Sequence, residues 1–268
     1  MNIDALYVHP IKSCAPVALN EARVTARGLE HDRRWMIADG DGKFLTQRTL
    51  PELALVHLAI DGERYVVRRE GQPALLLPFA HDDGARVDVE VWGDHMRARR
   101  HDHGSDWFSR VVGGDVQLVF MPDDTRRPVD EDYARADDIV SFADGFPLLV
   151  VNRASLEALA HDAGSDVDVR RFRPNVVVAG AEPWAEDNWR VLAVGDSAAR
   201  SLTLRTPKPC ARCSIPGVDP NTAAITKEPL RTLAKLRTRD HQALFGINAI
   251  PDGEGTLRVG DSVRPLDM

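Results

Sequence analysis

Arg86-Val87-Asp88-Val89-Glu90-Val91-Trp92-Gly93-Asp94-His95-Met96-Arg97-Ala98-Arg99 alternates polar with apolar residues on both sides of Gly93-Asp94. That is the pattern of an antiparallel hairpin with one face in a core and one in water. Two similar pairs of runs precede it. Trp35-Met36-Ile37-Ala38 and Lys43-Phe44-Leu45 flank Asp39-Gly40-Asp41-Gly42, and Val56-His57-Leu58-Ala59-Ile60 and Tyr65-Val66-Val67 flank Asp61-Gly62. Asp-Gly between such runs supplies the left-handed residues of a tight hairpin turn. Beyond the hairpins, a helix is expected to start at a Ser105 cap and to stop at Gly113-Gly114, with a strand following over 116–120. The second half reads as a strand over 147–151, a short helix over 154–161 and a strand over 175–179. A helix face then carries Leu230, Leu233 and Leu236, and strands return over 246–266. The chain is therefore expected to be mainly β with some helices, an α+β class. Two domains are expected, 1–120 and 121–268, with polar 123–127 as a solvated loop at the junction.

Composition narrows the function classes. At 268 residues, 43% hydrophobic and 28% charged, the chain has enough apolar surface for two ordinary cores and no disordered bias. A net charge of −7 disfavours nonspecific nucleic-acid binding. No apolar run approaches the roughly 20 residues of a membrane helix, and the acidic start, Met1-Asn2-Ile3-Asp4, lacks the basic region of a secretory signal. A cytoplasmic protein is expected. The Gly-rich phosphate loop of nucleotide enzymes is absent, which disfavours an NTPase or dinucleotide enzyme.

Chemistry concentrates in Lys208-Pro209-Cys210-Ala211-Arg212-Cys213-Ser214-Ile215-Pro216-Gly217-Val218-Asp219-Pro220. A thiol acts as nucleophile or metal ligand only as thiolate, a form that Lys208 and Arg212 would favour. The prolines forbid an uninterrupted helix across the pair, which argues against a thioredoxin-type dithiol. Structural zinc wants four paired Cys or His ligands, whereas the remaining cysteine is the distant Cys14. An intracellular setting disfavours a disulfide. His101-Asp102-His103 invites a metal reading but is expected to be a solvated loop.

Several segments, in order along nearly the whole chain, carry a family resemblance. They are Pro10-Ile11-Lys12-Ser13-Cys14, Gly28-Leu29 with Asp32-Arg33-Arg34-Trp35, Thr46-Gln47-Arg48, Arg171-Phe172-Arg173-Pro174-Asn175, the Cys210 to Pro220 segment, Leu244-Phe245-Gly246 and Val259-Gly260-Asp261. Together they resemble the MOSC proteins, and among them the amidoxime-reducing components and bacterial YcbX-type proteins. The resemblance implies a MOSC N-terminal β-rich domain packed on a MOSC β-barrel domain, with a molybdenum cofactor (Mo-molybdopterin) in the cleft between them. It implies Cys213 as the metal ligand and catalytic residue, and Lys12, Ser13, Arg33, Arg173, Asn175 and Arg212 as cofactor-binding residues. Cys210 is then a residue that supports the ligand from behind or simply packs. A soft thiolate suits a sulfur-bound metal, and Arg and Lys suit a phosphate tail. The implied activity is reduction of small N-hydroxylated or N-oxygenated substrates: amidoximes, hydroxylamines and N-hydroxylated bases. Electrons are expected from a separate ferredoxin- or flavin-type reductase, because the three cysteines cannot build an iron–sulfur site. An alternative is a cofactor carrier or sulfur-handling module without turnover. Asn248 departs from the aromatic residue of animal amidoxime reducers. Trp184 and Trp189 resemble a loop near the cofactor cleft, though core packing explains them equally.

Overall fold

The computed structural model describes residues 1–195 and 201–266. The alternating segment forms two antiparallel strands, Arg86–Val91 and Asp94–Arg100. Val91 faces Asp94, so the turn is Trp92-Gly93, one residue earlier than expected. Both turn residues are left-handed, with φ of 56° and 89°, the geometry whose twist matches paired strands. Val89, Val91, Met96 and Ala98 share one core with Met36 and Val119, which come from the neighbouring strands Trp35–Ala38 and Gln117–Phe120 of the same four-stranded sheet. The Asp61-Gly62 hairpin also forms, as His57–Asp61 against Arg64–Arg68, with Leu75–Pro78 completing three strands.

The helix α1 (Asp102–Val112) starts three residues ahead of Ser105. Its cap is His101, whose Nδ1 accepts from the Gly104 N–H at 2.9 Å. Ser105 instead ties helix to strand. Its buried hydroxyl donates to the His101 carbonyl and accepts from the Leu118 N–H, both at 2.9 Å. His101 is thus a capping residue and not part of a solvated loop. Gly113, left-handed at φ 68°, ends the helix as expected.

The second half supplies most of a nine-stranded sheet. Its order is Val263–Pro265, Val191–Val194, Leu202–Ala211, Gln242–Asp252, Leu148–Asn152, Val176–Ala179, Asn2–Val8 and Val17–Leu19, with Thr238–Arg239 beside Gln242–Asp252. Leu148–Asn152 and Val176–Ala179 are parallel, joined through the helix α2 (Arg153–Ala163); the other pairs are antiparallel. Period two decides the packing. Leu148 and Val150 enter one core with Ile3, Leu6 and Leu192, while Leu149 and Val151 enter another with Leu156 and Leu159 of α2. In α3 (Leu230–Leu236) the expected face is narrower than read: Leu233 is fully buried, Leu236 half exposed. Among the described residues no helix is long and apolar enough to cross a membrane.

The polar stretch 123–127 is not simply solvated. Arg127 is buried, and its guanidinium donates to Asp94 at 2.7 Å and to the carbonyls of Ser141, Ala143 and Asp144. A buried guanidinium is tolerated only with its donors filled, and here it clasps loop 141–144 to the hairpin of Asp94. The two halves also trade strands. Asn2–Val8 lies within the large sheet, and Gly255–Arg258 pairs with Glu21–Thr25. Gly28, at φ 94°, sits where an added Cβ would lie 2.5 Å from the Pro147 carbonyl oxygen. Gly28→Ala is therefore expected to destabilise the fold by about 2 kcal/mol through clash and strain, read as a lower midpoint in urea unfolding.

Candidate functional site

One end of the large sheet gathers the loops that carry the expected site. Lys208 pairs with Asn248, Asn248 with Leu149, Val150 with Val176, and Val176 with Leu6. The segments entering or leaving those strands therefore converge. All seven residues expected to form the site, Lys12, Ser13, Arg33, Arg173, Asn175, Arg212 and Cys213, line a single cleft of about 690 Å3, open mouth included. Asn248 and Cys210 line it as well.

Backbone strain marks the floor. Ser13, Arg33 and Arg173 are all left-handed, with φ of 70°, 49° and 56°, a conformation that costs a non-glycine residue of order 1 kcal/mol or more and clusters at functional sites. Surrounding bonds hold it in place. The Arg33 N–H donates to His9 and its carbonyl accepts from Phe142; its side chain binds the Asp32 carboxylate, the Asn175 Oδ1 at 3.2 Å and the Arg173 carbonyl at 3.1 Å. The Ser13 carbonyl accepts from Gln47 Nε2 at 2.6 Å. Asn175 is fully engaged: Oδ1 also accepts from the Leu149 N–H at 3.2 Å, and Nδ2 donates to the Tyr7 carbonyl at 3.2 Å.

The cleft is electropositive. Lys12, Arg33, Arg48, Arg173 and Arg212 line it, against the single lining carboxylate of Asp144 among the described residues. Lys12 donates to Asp144 at 2.6 Å and to the Phe142 carbonyl at 2.7 Å. Burial pushes its ammonium down to about 8, against the raising effect of Asp144. Desolvation raises the Asp144 carboxyl, but the Lys12 ammonium outweighs it and holds the group well below its usual value. Arg173 donates to the Cys14 carbonyl at 2.8 Å through Nη1, whereas its buried Nη2 has no partner. Burial, then the neighbouring Arg33, lowers its guanidinium to about 10. Arg212 donates to Cys210 Sγ at 3.0 Å and to the Phe172 carbonyl at 2.8 Å.

Several other groups are placed differently from expectation or were not foreseen. Lys208, expected to acidify the thiols, is instead paired with Asp130 at 2.9 Å. Cys14 is fully buried, and burial pushes its thiol up to about 12, so it stays neutral. His9, buried and lowered well below 6.5 by desolvation and then by Arg33 and Arg173, is neutral too and donates through Nε2 to the Pro174 carbonyl at 3.0 Å. Asp144 and Phe146 line the cleft without having stood out in the sequence. Arg48 had appeared only within a matching segment. Trp184 and Trp189 pack away from the cleft, Trp184 against Phe245 and Arg237, Trp189 in the core of the large sheet.

Two predictions test this geometry. Asn175→Ala is expected to cost the cofactor-free protein about 2 kcal/mol, since it strands the buried Leu149 N–H and frees Arg33; chemical denaturation measures it. Lys12 releases its proton near pH 8, whereas in an unfolded chain it does so near 10.5. The unfolded chain binds more protons between those values, so the residue makes stability rise with pH across that window. Lys12→Met is expected to flatten that slope in urea titrations from pH 8 to 10.5.

Comparison with known proteins finds the same order of parts. A model of the MOSC N-terminal beta barrel domain matches residues 1–115, and one of the MOSC domain matches residues 137–264. The chain is 32% identical to mitochondrial amidoxime-reducing component 1 of Homo sapiens, over 98% of its own length and 82% of that protein's. Identity to the Mus musculus protein of the same name is 33%, over 98% and 82%. Molybdenum cofactor sulfurase of Oryza sativa subsp. japonica is 28% identical over 99% of this chain, which spans 35% of that longer protein.

Proposed function

Because this chain belongs to the family of proteins that join a MOSC N-terminal domain to a MOSC domain, we propose that it is a molybdenum-cofactor oxidoreductase that reduces small N-hydroxylated compounds, with electrons from a separate redox protein. The observation that carries the reading is the unpartnered, buried Arg173 Nη2 in a cleft lined by five cations, one carboxylate and two thiols. A buried donor without an acceptor costs roughly 1–3 kcal/mol, which an anionic phosphate would recover. The residues present thus fit the anionic tail and the soft metal of the cofactor.

When bound, the cofactor supplies the two-electron, oxygen-accepting chemistry. The chain's part is to hold and orient it. Cys213 offers the thiolate ligand matched in softness to the metal. Arg173, Arg33, Lys12 and Ser13 grip the phosphate, with Asn175 fixing the Arg33 fork. Arg212, anchored on Phe172 and Cys210, sets the loop that carries Cys213. The proposal divides the chain near residue 120, the first 120 residues lending Asn2–Val8 to the larger sheet. It places the protein in a reducing compartment, the cytoplasm, supported by three unpaired cysteines; the relatives are named mitochondrial.

Cys213→Ser is expected to abolish molybdenum-dependent reduction of benzamidoxime at equal cofactor loading, whereas Cys210→Ser retains most of it. The reverse pattern would move the ligand to Cys210. Arg173→Ala is expected to lower molybdenum and pterin content by about tenfold without loss of fold, the loss of one charge-assisted contact. The loaded protein is expected to be inactive with NADPH alone and active with reduced viologen. Exchange of cofactor with no turnover under viologen would favour the carrier reading instead.

A further inference from the structure

Trp92 is the one exposed tryptophan of five among the described residues, at 55%, and it occupies the first position of a turn that favours Asn, Asp or Gly. Its left-handed backbone is strained, and its indole lies half in water. The indole is tied to the cleft. Arg48, which lines the cleft, places its guanidinium 4.7 Å from the indole ring centre, and Phe44 packs against that ring at 5.1 Å. Arg48 makes no ion pair among the described residues, so its remaining N–H groups are free. Trp92 stands just outside the lining, whose aromatic residues are Phe146 and Phe172, and Phe146 packs against the exposed Tyr133.

We propose that Trp92, braced by Arg48 and Phe44, is the specificity-determining rim of the cleft and selects planar aromatic N-hydroxylated compounds over small aliphatic ones. The proposal rests on the oxidoreductase reading above and deepens it. A planar π-face stacks on the exposed indole, as aromatic pairs do, while Arg48 offers donors to acceptor atoms on the ligand's edge. A small aliphatic amidoxime has no π-face to stack and bypasses the rim.

The test compares benzamidoxime with acetamidoxime in cofactor-loaded wild type, Trp92→Ala and Trp92→Phe, with reduced viologen as donor. The KM ratio of benzamidoxime to acetamidoxime is expected to rise about tenfold in Trp92→Ala and to return to within about twofold of wild type in Trp92→Phe. A readout independent of turnover accompanies it. Benzamidoxime is expected to quench tryptophan fluorescence saturably in wild type but not in Trp92→Phe, while calorimetry shows weakened binding in Trp92→Ala alone. An unchanged ratio, or an equal change for both substrates, overturns the proposal. So does loss of molybdenum and pterin from Trp92→Ala, which would make the residue a cofactor contact. A raised KM for a protein reductant with unaltered viologen kinetics overturns it as well, and marks a docking residue. If loaded wild type reduces neither compound, the oxidoreductase reading fails, and the calorimetric comparison still decides the role of Trp92; no benzamidoxime binding at all overturns it.

Discussion

Both oxygens of one buried carboxylate set the floor of the cleft. Asp32 is 2% exposed; its Oδ1 accepts the His9 N–H at 2.8 Å and its Oδ2 holds the Arg33 guanidinium. The first bond fixes where the chain leaves the strand Asn2–Val8. The second holds a positive charge at that point, and Arg33 in turn binds Asn175 and the Arg173 carbonyl. Through these two oxygens the early segment and the loop ahead of Val176–Ala179 share one anchor. Breaking one partner of such a buried pair leaves an uncompensated charge, which costs far more than a surface pair is worth.

The same anchoring lets the cleft hold cations that repel one another. Beyond the larger effect of burial, Arg33 lowers the proton affinity of both His9 and Lys12, and Arg173 that of His9. Arg33 answers with Asp32, Lys12 with Asp144, and Arg212 in part with a carbonyl and a sulfur; Arg173 keeps Nη2 idle and Arg212 keeps Nε idle. The arrangement is preorganised for an anion: the repulsion is already met in the fold, so binding a negative group relieves it.

Local features of this architecture were legible in the sequence because their causes are local. Asp-Gly turns, polar–apolar alternation and the Gly113 stop are each set by a few neighbouring residues; two of the three expected hairpins form as paired strands within one residue of their expected places, while in the first Phe44 makes only an isolated bridge to Ala38. The Trp92-Gly93 turn slipped because cross-strand register, which a single run does not display, decides which pair turns. The Ser105 cap failed for a related reason: a hydroxyl that suits a helix start also suits a bridge to Leu118 on another strand. Arg127 looked solvated because the carbonyls that bury it come from residues 141–144 and the carboxylate from Asp94. The site was legible in two ways. The cysteine pair stands out through thiol chemistry, whereas Lys12, Arg33 and Arg173 stand out only as members of a familiar order of motifs. Asp144 and Arg48 acquire meaning from what lies beside them in space.

The strand exchange between the two halves has a consequence for biosynthesis. The strand Asn2–Val8 meets Val17–Leu19 on one edge soon after synthesis, but on its other edge Leu6 pairs with Val176, so that second neighbour leaves the ribosome long afterwards. At roughly 5–20 residues per second, the 170 residues between them (176 − 6) take on the order of 10–30 s to make. Throughout that interval the edge that carries Ile3 and Leu6, both destined for the interior, lacks its partner from Val176–Ala179. Such an edge readily recruits other chains, so the nascent protein depends on shielding during translation, and the completeness of its largest sheet is a late event in its synthesis.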